Sequence, residues 1–367
     1  MKFRLSADAN FFLVGERKTI FDEASQKIFE LDDLSAFLTC LLVEPASAHQ
    51  LEAAVVARGV SRARAHAAVK HYLVYLSGRN LLEIIFDENE GRPLDTQALD
   101  FGGTSISIAF YDQALRDLVV PIFAHNGTDA ATSYAAVYDV ARFGDSVCIS
   151  RDRCLGMIVA VPEVAPAIKA FVTDDILANL GARVALHAAL LVRKSKGLLI
   201  CGAPGAGKTT LAMALLAAGF AYGGDDIALL DADGLLAGVP FSPALKQGSW
   251  GLLGHMSNTI REAPIHRRLD NKRVRYPTGL RYARARVHPA AIVLIRRRRS
   301  GPVEVSDVEP IRVLSELLAG AYTPERRLVL PQFQRLLDMV SQARTVELTY
   351  SSLDGAVETL RRLHDSQ

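Results

Sequence analysis

Residues 202–209 read GAPGAGKT, and seventeen residues after Lys208 two aspartates stand side by side, Asp225 and Asp226. The first stretch fills every required position of the phosphate-cradle pattern G-x-x-x-x-G-K-[ST]. Glycine has no Cβ, so successive backbone N–H groups can turn inward on a polyphosphate, and the N-terminus of the following helix adds positive potential. In that geometry Lys208 reaches the β- and γ-phosphates of ATP and Thr209 ligates Mg2+. Gly202, Ala203, Pro204, Gly205, Ala206, Gly207, Lys208, Thr209 and Thr210 enclose the phosphates. Without a ligand the same residues are a glycine-rich turn. A protein that only switches on a nucleotide needs one acid near the metal, whereas one that moves the phosphoryl group onto a hydroxyl also needs a base. The paired aspartates therefore point to a kinase.

These residues need elements to hold them. The apolar GLLI before the cradle reads as a strand, and TTLAMALLAAG after it as a helix closed by Gly219 in C-cap position. The segment GGDDIALLD then places Asp225 and Asp226 at or near the start of a strand beside the cradle strand. Neighbouring side chains on a regular strand point to opposite faces, so only one acid would face the phosphates. An irregularity at Gly223 and Gly224 could bring both to the site. Asp231, at the end of the same apolar run, is the main competitor for the metal role. Upstream, RVALHAALLV sets His187 alone in an apolar strand that leads through the hairpin-like RKSKG into the cradle strand. A lone histidine there is more often a core residue than a functional one.

Together, LHAALLV, GLLICGAPGAGKTTLAMALLAAG and FAYGGDDIALL resemble the HPr kinase/phosphorylase family, in which a histidine on a strand, a hairpin, a P-loop, a short helix ending in glycine and paired aspartates follow one another. The resemblance implies an α/β fold like that of phosphoenolpyruvate carboxykinase and serine phosphorylation. It implies Asp225 as general base, His187 as its support, Asp226 beside Mg2+ with Thr209, and Lys208 on ATP. Departures accompany it: Thr209 and Thr210 stand where HPr kinases proper commonly have Ser-Glu, and their glycine-rich phosphorolysis segment is not found. The chain looks more like the HPr-kinase-related kinases found beside peptide-modification or envelope genes. There a stretch like FSPALKQGSW offers a cation, here Lys246, to the transferring phosphoryl group; the alternative is an exposed loop lysine.

The N-terminal region reads as three short strands, FFLVG, TIFDE and KIFELD, followed by three helices. Leu34, Phe37, Leu38 and Leu41 share one helical face, Val69, Tyr72, Leu73 and Leu76 another, with Ser47 and Ser61 as N-caps of the second and third helices. IFELDDLSAFL and YLSGRNLL resemble the PqqD-like, winged-helix-like α+β domain, which holds leader peptides. The resemblance implies residues 1–90 as a peptide-binding domain. A linker is expected at 86–97 and an α/β kinase domain over 98–367, with SISIAFY, LVVPIF and SVCIS as strands completing its sheet and VAPAIKAFVTDDILANLG as a helix. The closing VELTYSSLDGAVETLRRL reads as strand, turn and amphipathic helix.

A net charge of +2 argues against nucleic acid or an acidic membrane as a general partner. Four cysteines without CxxC spacing point to reduced thiols in a cytoplasmic protein, and no apolar run is long enough for a membrane span. Among the basic stretches, Arg273 and Arg275 in HRRLDNKRVRYP are candidates for a substrate or nucleotide loop, while IRRRRSG reads mainly as a solvated strand exit. The expected function is an ATP- and Mg2+-dependent serine/threonine kinase of a peptide or protein, such as a peptide natural-product precursor. The alternatives are a nucleotide-dependent peptide-binding or assembly protein and a kinase of a sugar or amino acid. A homo-oligomer is compatible with the family, without the hexamer of HPr kinases proper.

Overall fold

At the N-terminus β1 (Lys2–Leu5) precedes an antiparallel ladder of β2 (Ala9–Val14), β3 (Arg17–Asp22) and β4 (Lys27–Leu31), the three strands expected from the apolar runs. The three expected helices follow as α1 (Asp33–Leu41), α2 (Ala48–Ala57) and α3 (Arg62–Ser77). Their starts are fixed locally. The Asp32 carboxylate accepts the Ser35 N–H at 2.7 Å, and Ser47 forms a reciprocal capping box with Gln50. Ser61 occupies the N-cap of α3 but makes no side-chain cap bond, so packing rather than capping holds that helix. Val69, Tyr72, Leu73 and Leu76 are all buried, as their spacing demanded.

The computed structural model describes residues 1–86, 91–129, 131–152 and 154–366. Residues 87–90, part of the linker expected at 86–97, lie outside the described residues, and Asp95, Thr96 and Gln97 belong to a strand rather than a linker. Next come β5 (Leu82–Ile85), β6 (Asp95–Asp100), β7 (Ser105–Phe110), α4 (Gln113–Phe123), β8 (Ala136–Phe143), β9 (Ser146–Arg151), β10 (Leu155–Ala160) and α5 (Val164–Ala178). The strands form one seven-stranded mixed sheet in the order β1-β5-β10-β9-β8-β7-β6. Strands β6 to β10 therefore extend the sheet begun by β1 and β5 instead of completing the cradle sheet. LVVPIF is not a strand either. It closes α4, whose buried Leu115, Val119 and Ile122 repeat at helical spacing once the window is widened upstream.

Contacts divide the chain into two units, Met1–Asp100, Ser105–Val120 and Thr128–Ile168 on one side and Phe101–Thr104, Pro121–Gly127 and Lys169–Gln367 on the other. This division does not fall at residues 90–98; its boundaries include points within α4 and α5.

The second unit continues with β11 (Val184–Leu186), β12 (Ala189–Arg193), β13 (Lys196–Cys201), α6 (Lys208–Ala217), β14 (Ala221–Gly224), β15 (Ala228–Leu230), β16 (Leu236–Gly238), β17 (Leu245–Lys246), α7 (Ser257–Glu262), β18 (Ile265–Arg267) and β19 (Arg273–Arg275). It ends with β20 (Pro289–Arg297), β21 (Glu304–Asp307), α8 (Pro310–Ala319), β22 (Ala321–Tyr322), α9 (Leu330–Gln342), β23 (Arg344–Tyr350) and α10 (Leu353–Asp365). A six-stranded mixed sheet runs β14-β12-β13-β20-β23-β21. Strands β13, β20 and β23 are parallel, and β14 has the same direction because both it and β13 are antiparallel to β12. All four strands thus point their C-terminal ends to one edge.

Both faces of this sheet are covered, which explains its nearly continuous apolar runs. Leu198 and Ile200 join a core with residues of α6 and α10, whereas Leu199 and Cys201 join one with residues of α8 and α9. Each fully buried leucine contributes about 1.5–3 kcal/mol relative to exposure. A four-stranded sheet, β16-β15-β11-β22, and a three-stranded one, β17-β19-β18, complete the unit. All four cysteines are free. Among the described residues no helix is long and apolar enough to cross a membrane.

Candidate active site

The cradle is built at the C-terminal end of β13. Gly205 and Gly207 take the left-handed φ values +85° and +103°, and Gly207 stands at the N-cap of α6. A Cβ on Gly207 would come 3.2 Å from the Tyr350 hydroxyl, at the C-terminal end of β23. At the other end of α6 the Phe220 N–H bonds the Leu215 carbonyl and the Gly219 N–H bonds the Leu216 carbonyl, with Gly219 at φ +84°. That is a Schellman closure, so Gly219 ends the helix as its type and position predicted. Lys208 is buried, and its Nζ donates to the Gly202 carbonyl at 2.6 Å, folding the side chain back over the turn. Burial depresses its ammonium pKa, and nearby Asp226 acts in the opposite direction.

A cleft of about 470 Å3 opens over this turn. Lys208, Thr209 and Thr210 line it from α6, His187 and Asp226 from the strand corners, and Lys246, Arg268 and Arg297 add three further cations. The two corners have one origin. Strands β11 and β12 are separated only by His187 and Ala188, and β14 and β15 only by Asp225, Asp226 and Ile227. Because β11 pairs with β15 and β12 with β14, one two-stranded ribbon crosses from the four-stranded into the six-stranded sheet and bends at these residues. The His187 Nδ1 lies 3.1 Å from the Asp226 carbonyl, which can only accept, so Nδ1 is the donor in this contact. His187 is exposed, not a core residue.

The irregularity expected at the glycines is present. Tyr222 pairs with Leu191 and Gly224 with Leu190, which leaves Gly223 as the extra residue of a bulge. A Cβ on Gly223 would meet the Leu190 carbonyl at 2.8 Å, and one on Gly238 would fall 1.8 Å from the Gly223 carbonyl oxygen. Only glycine fits at either place. The strand the acids lead into, β15, however, is not beside the cradle strand but in the four-stranded sheet, and β14 before them is separated from the cradle strand by β12.

The two aspartates differ sharply. Asp226 is exposed to the cleft, whereas Asp225 is 3 % exposed and is not among the lining residues. Asp225 Oδ1 accepts the Tyr222 hydroxyl at 2.6 Å, and its Oδ2 is buried without a hydrogen-bond partner among the described residues. Burial, then the charge of Asp226, raises the Asp225 carboxyl above the usual range, against a smaller pull from the Lys169 ammonium. Asp231, the sequence competitor, is committed elsewhere. Its Oδ1 accepts the N–H groups of Asp233 and Leu235, both at 2.9 Å, and its Oδ2 pairs with Arg286 at 2.8 Å. It closes the β15 to β16 turn and does not line the cleft.

The basic stretches sort differently from their sequence ranking. Arg275 donates to the carbonyls of Ile260, Arg261 and Ala263 at the end of α7 and stacks on Trp250, so it is a packing residue. Arg273 does not line the cleft, and Arg268 from the same stretch does. From IRRRRSG it is Arg297 that lines the cleft, at the C-terminal end of β20. The missed signal was directional: a strand parallel to the cradle strand delivers its last residues to the cradle edge. Lys246, held by β17, lines the cleft as a cation.

No family model matches the sequence, and no curated protein matches it. Parts of the chain are similar to solved structures, two of which follow. One is TbiB1 in complex with the TbiA(beta) leader peptide, at 20 % identity over 23 % of this chain and 99 % of that one, TM-score 0.21. The other is the Hpr(Ser) kinase/phosphatase from Coxiella burnetii, at 14 % identity over 50 % of this chain and 99 % of that one, TM-score 0.24. Likenesses this loose fix neither the fold nor the activity of this chain.

Proposed function

We propose that this chain is a phosphotransferase that moves the terminal phosphoryl group of ATP onto a serine or threonine hydroxyl of a peptide or protein. The observation that carries the reading is the meeting, at one sheet edge, of a complete phosphate cradle with a carboxylate pair, one member in the cleft and one buried with an unpartnered oxygen. Backbone N–H groups of the turn, other than Pro204, which has none, and Ala206, whose N–H is bonded to the Ala203 carbonyl, bind the phosphates together with the Lys208 ammonium. Lys246, Arg268 and Arg297 add positive charge where the transferring group becomes most negative. Thr209 and Asp226 offer hard oxygen donors inside the cleft and would hold Mg2+, which neutralises phosphate charge when bound.

Asp225 is the base in this reading. A base needs a free lone pair and a pKa raised toward working pH, and burial supplies the second. The acceptor O–H gives its proton to Oδ2 as the oxygen attacks the terminal phosphorus; the bond to the departing ADP oxygen breaks. Reaching Oδ2 requires the acceptor hydroxyl to enter from the cleft. His187, tied to the Asp226 carbonyl, fixes the corner that holds the pair.

Peptide recognition belongs, on this reading, to residues 1–90. The β2-β3-β4 ladder has open edges, and on β2 Phe12, Leu13 and Val14 are 51 %, 64 % and 60 % exposed. An extended peptide can add to such an edge as a further strand. The test is ADP formation from ATP and Mg2+ with candidate peptides. Asp225→Asn should retain ATP binding and lower transfer by about 10²- to 10⁴-fold. Wild-type transfer in Asp225→Asn, with loss in Asp226→Asn, moves the base to Asp226; tight ATP binding with no hydroxyl acceptor at all turns the protein into a nucleotide-dependent binding module.

A further inference from the structure

Tyr222 is the most deeply committed group near the acids, and no part of the phosphate chemistry uses it directly. It is fully buried, its ring sits in the core shared by α6 and α10, and its edge meets Tyr282 with centroids 5.8 Å apart. Tyr282 in turn stacks on His125 at 3.6 Å. The Tyr222 backbone is also pinned: its N–H donates to the Arg281 carbonyl, and its carbonyl accepts from the Ala283 N–H, both at 2.8 Å. A phenol so placed has almost no freedom to reorient.

We infer that Tyr222 is the positioning residue of Asp225: its hydroxyl occupies Oδ1, fixes the carboxylate plane, and leaves Oδ2 as the single proton-accepting oxygen. The inference rests on the reading of Asp225 as the base. Its geometric ground is the bulge. Residues i and i+3 of a regular strand point to opposite faces, so Tyr222 and Asp225 could not touch on an unbroken strand. Gly223 is the extra residue in the register, which puts Tyr222 and Gly224 on adjacent ladder steps, and Asp225 follows at the corner with its Oδ1 on the Tyr222 hydroxyl.

Other groups around Asp225 do not duplicate this contact. The Lys169 Nζ donates to the Ser242 carbonyl at 3.3 Å and lies over the rings of Phe241 and Tyr276, so it acts on the carboxylate through its field. The Tyr282 hydroxyl is directed to Ser242 at 3.4 Å. The Thr209 hydroxyl also bears on the carboxyl and pulls its pKa down, less than Tyr222 does; the close contact, at 2.6 Å on Oδ1, is that of Tyr222.

The test uses the full chain, Mg·ATP and water as the acceptor, with release of inorganic phosphate as the readout. Tyr222→Phe removes one oxygen and keeps the ring. We expect kcat to fall about 10- to 100-fold, the size of effect a small misplacement of a reacting group produces, with KM for ATP nearly unchanged. In an Asp225→Asn background the same change should have no further effect on kcat, since there is no base left to position. Equal losses in both backgrounds, or a wild-type kcat in Tyr222→Phe, overturn the inference while leaving the base assignment intact. A wild-type rate in Asp225→Asn, or equal phosphate release by wild type and Lys208→Ala, overturns the underlying reading and this inference with it. A Raman difference spectrum, wild type minus Tyr222→Phe, gives an answer independent of turnover: a tyrosine doublet typical of a strong hydrogen-bond donor is expected, and one typical of a free or accepting phenol sinks the contact.

Discussion

The turn at Gly202 to Thr209 and the corner at Asp225 and Asp226 meet at one edge of the same sheet, but they are held in place by different kinds of interaction. The turn is defined by residues next to one another: Gly205 and Gly207 supply left-handed backbone, Lys208 folds onto Gly202, and α6 starts at once. The corner is defined by residues far apart. Leu190 sets the bulge, Gly238 lies against Gly223, the His187 ring meets the Asp226 carbonyl, and the Gly320 carbonyl accepts the His187 N–H. A local device survives distant damage, and a device assembled from four strands does not. Substitutions in the turn should therefore act on nucleotide binding alone, and substitutions around the corner should join stability to turnover.

Lys208→Ala is the largest expected effect: loss of the one buried cation of the cradle should lower phosphate release by about 10²- to 10³-fold or more, with the melting temperature nearly unchanged. Filter binding of labelled ATP checks the cause. Gly238→Ala should give the opposite signature. Its new methyl group would overlap the Gly223 carbonyl, so a loss of about 1–3 kcal/mol in chemical denaturation is expected, together with a lower kcat. ATP affinity that drops as far as kcat does would erase the contrast between turn and corner.

Smaller effects sharpen the comparison. Arg297→Ala and Arg268→Ala each remove one cleft cation, and a rise of about tenfold in the ATP dissociation constant is expected for each from isothermal titration. Arg275→Ala should instead lower the melting temperature, because three carbonyls at the end of α7 lose their donor. The smallest effect belongs to Arg286→Ala. It removes the partner of Asp231 at a surface turn, and steady-state kinetics should be unchanged; a collapse of turnover would return Asp231 to the list of acids that matter.

Several elements were legible in the chain because their causes are short-range. Ser47 with Gln50, Asp32 with Ser35, the αL glycine after α6 and the helical spacing of Val69 to Leu76 each needed only a few neighbouring residues. LVVPIF was misread because a six-residue apolar window cannot separate strand from helix; the decisive repeat begins at Leu115, outside it. The fate of β6 to β10 was misread for a longer-range reason. Which sheet a strand joins depends on partners such as β1 and β5, and no local pattern names them.

The sequence by itself determined the glycine-rich turn at Gly202 to Thr209, since glycine positions, Lys208 and the start of α6 follow from backbone sterics within one turn. It also offered Gly223 and Gly224 as residues that would permit an irregularity beside the acids. Only the tertiary structure decided which acid faces the cleft and which is buried, that Asp231 belongs to a turn, and that Arg268 and Arg297 stand beside the cradle while Arg275 packs away from it. The physical reason is the same in each case. Burial, strand direction and the partner of a charged group are properties of pairs of segments distant in the chain, and they exist only once those segments have paired.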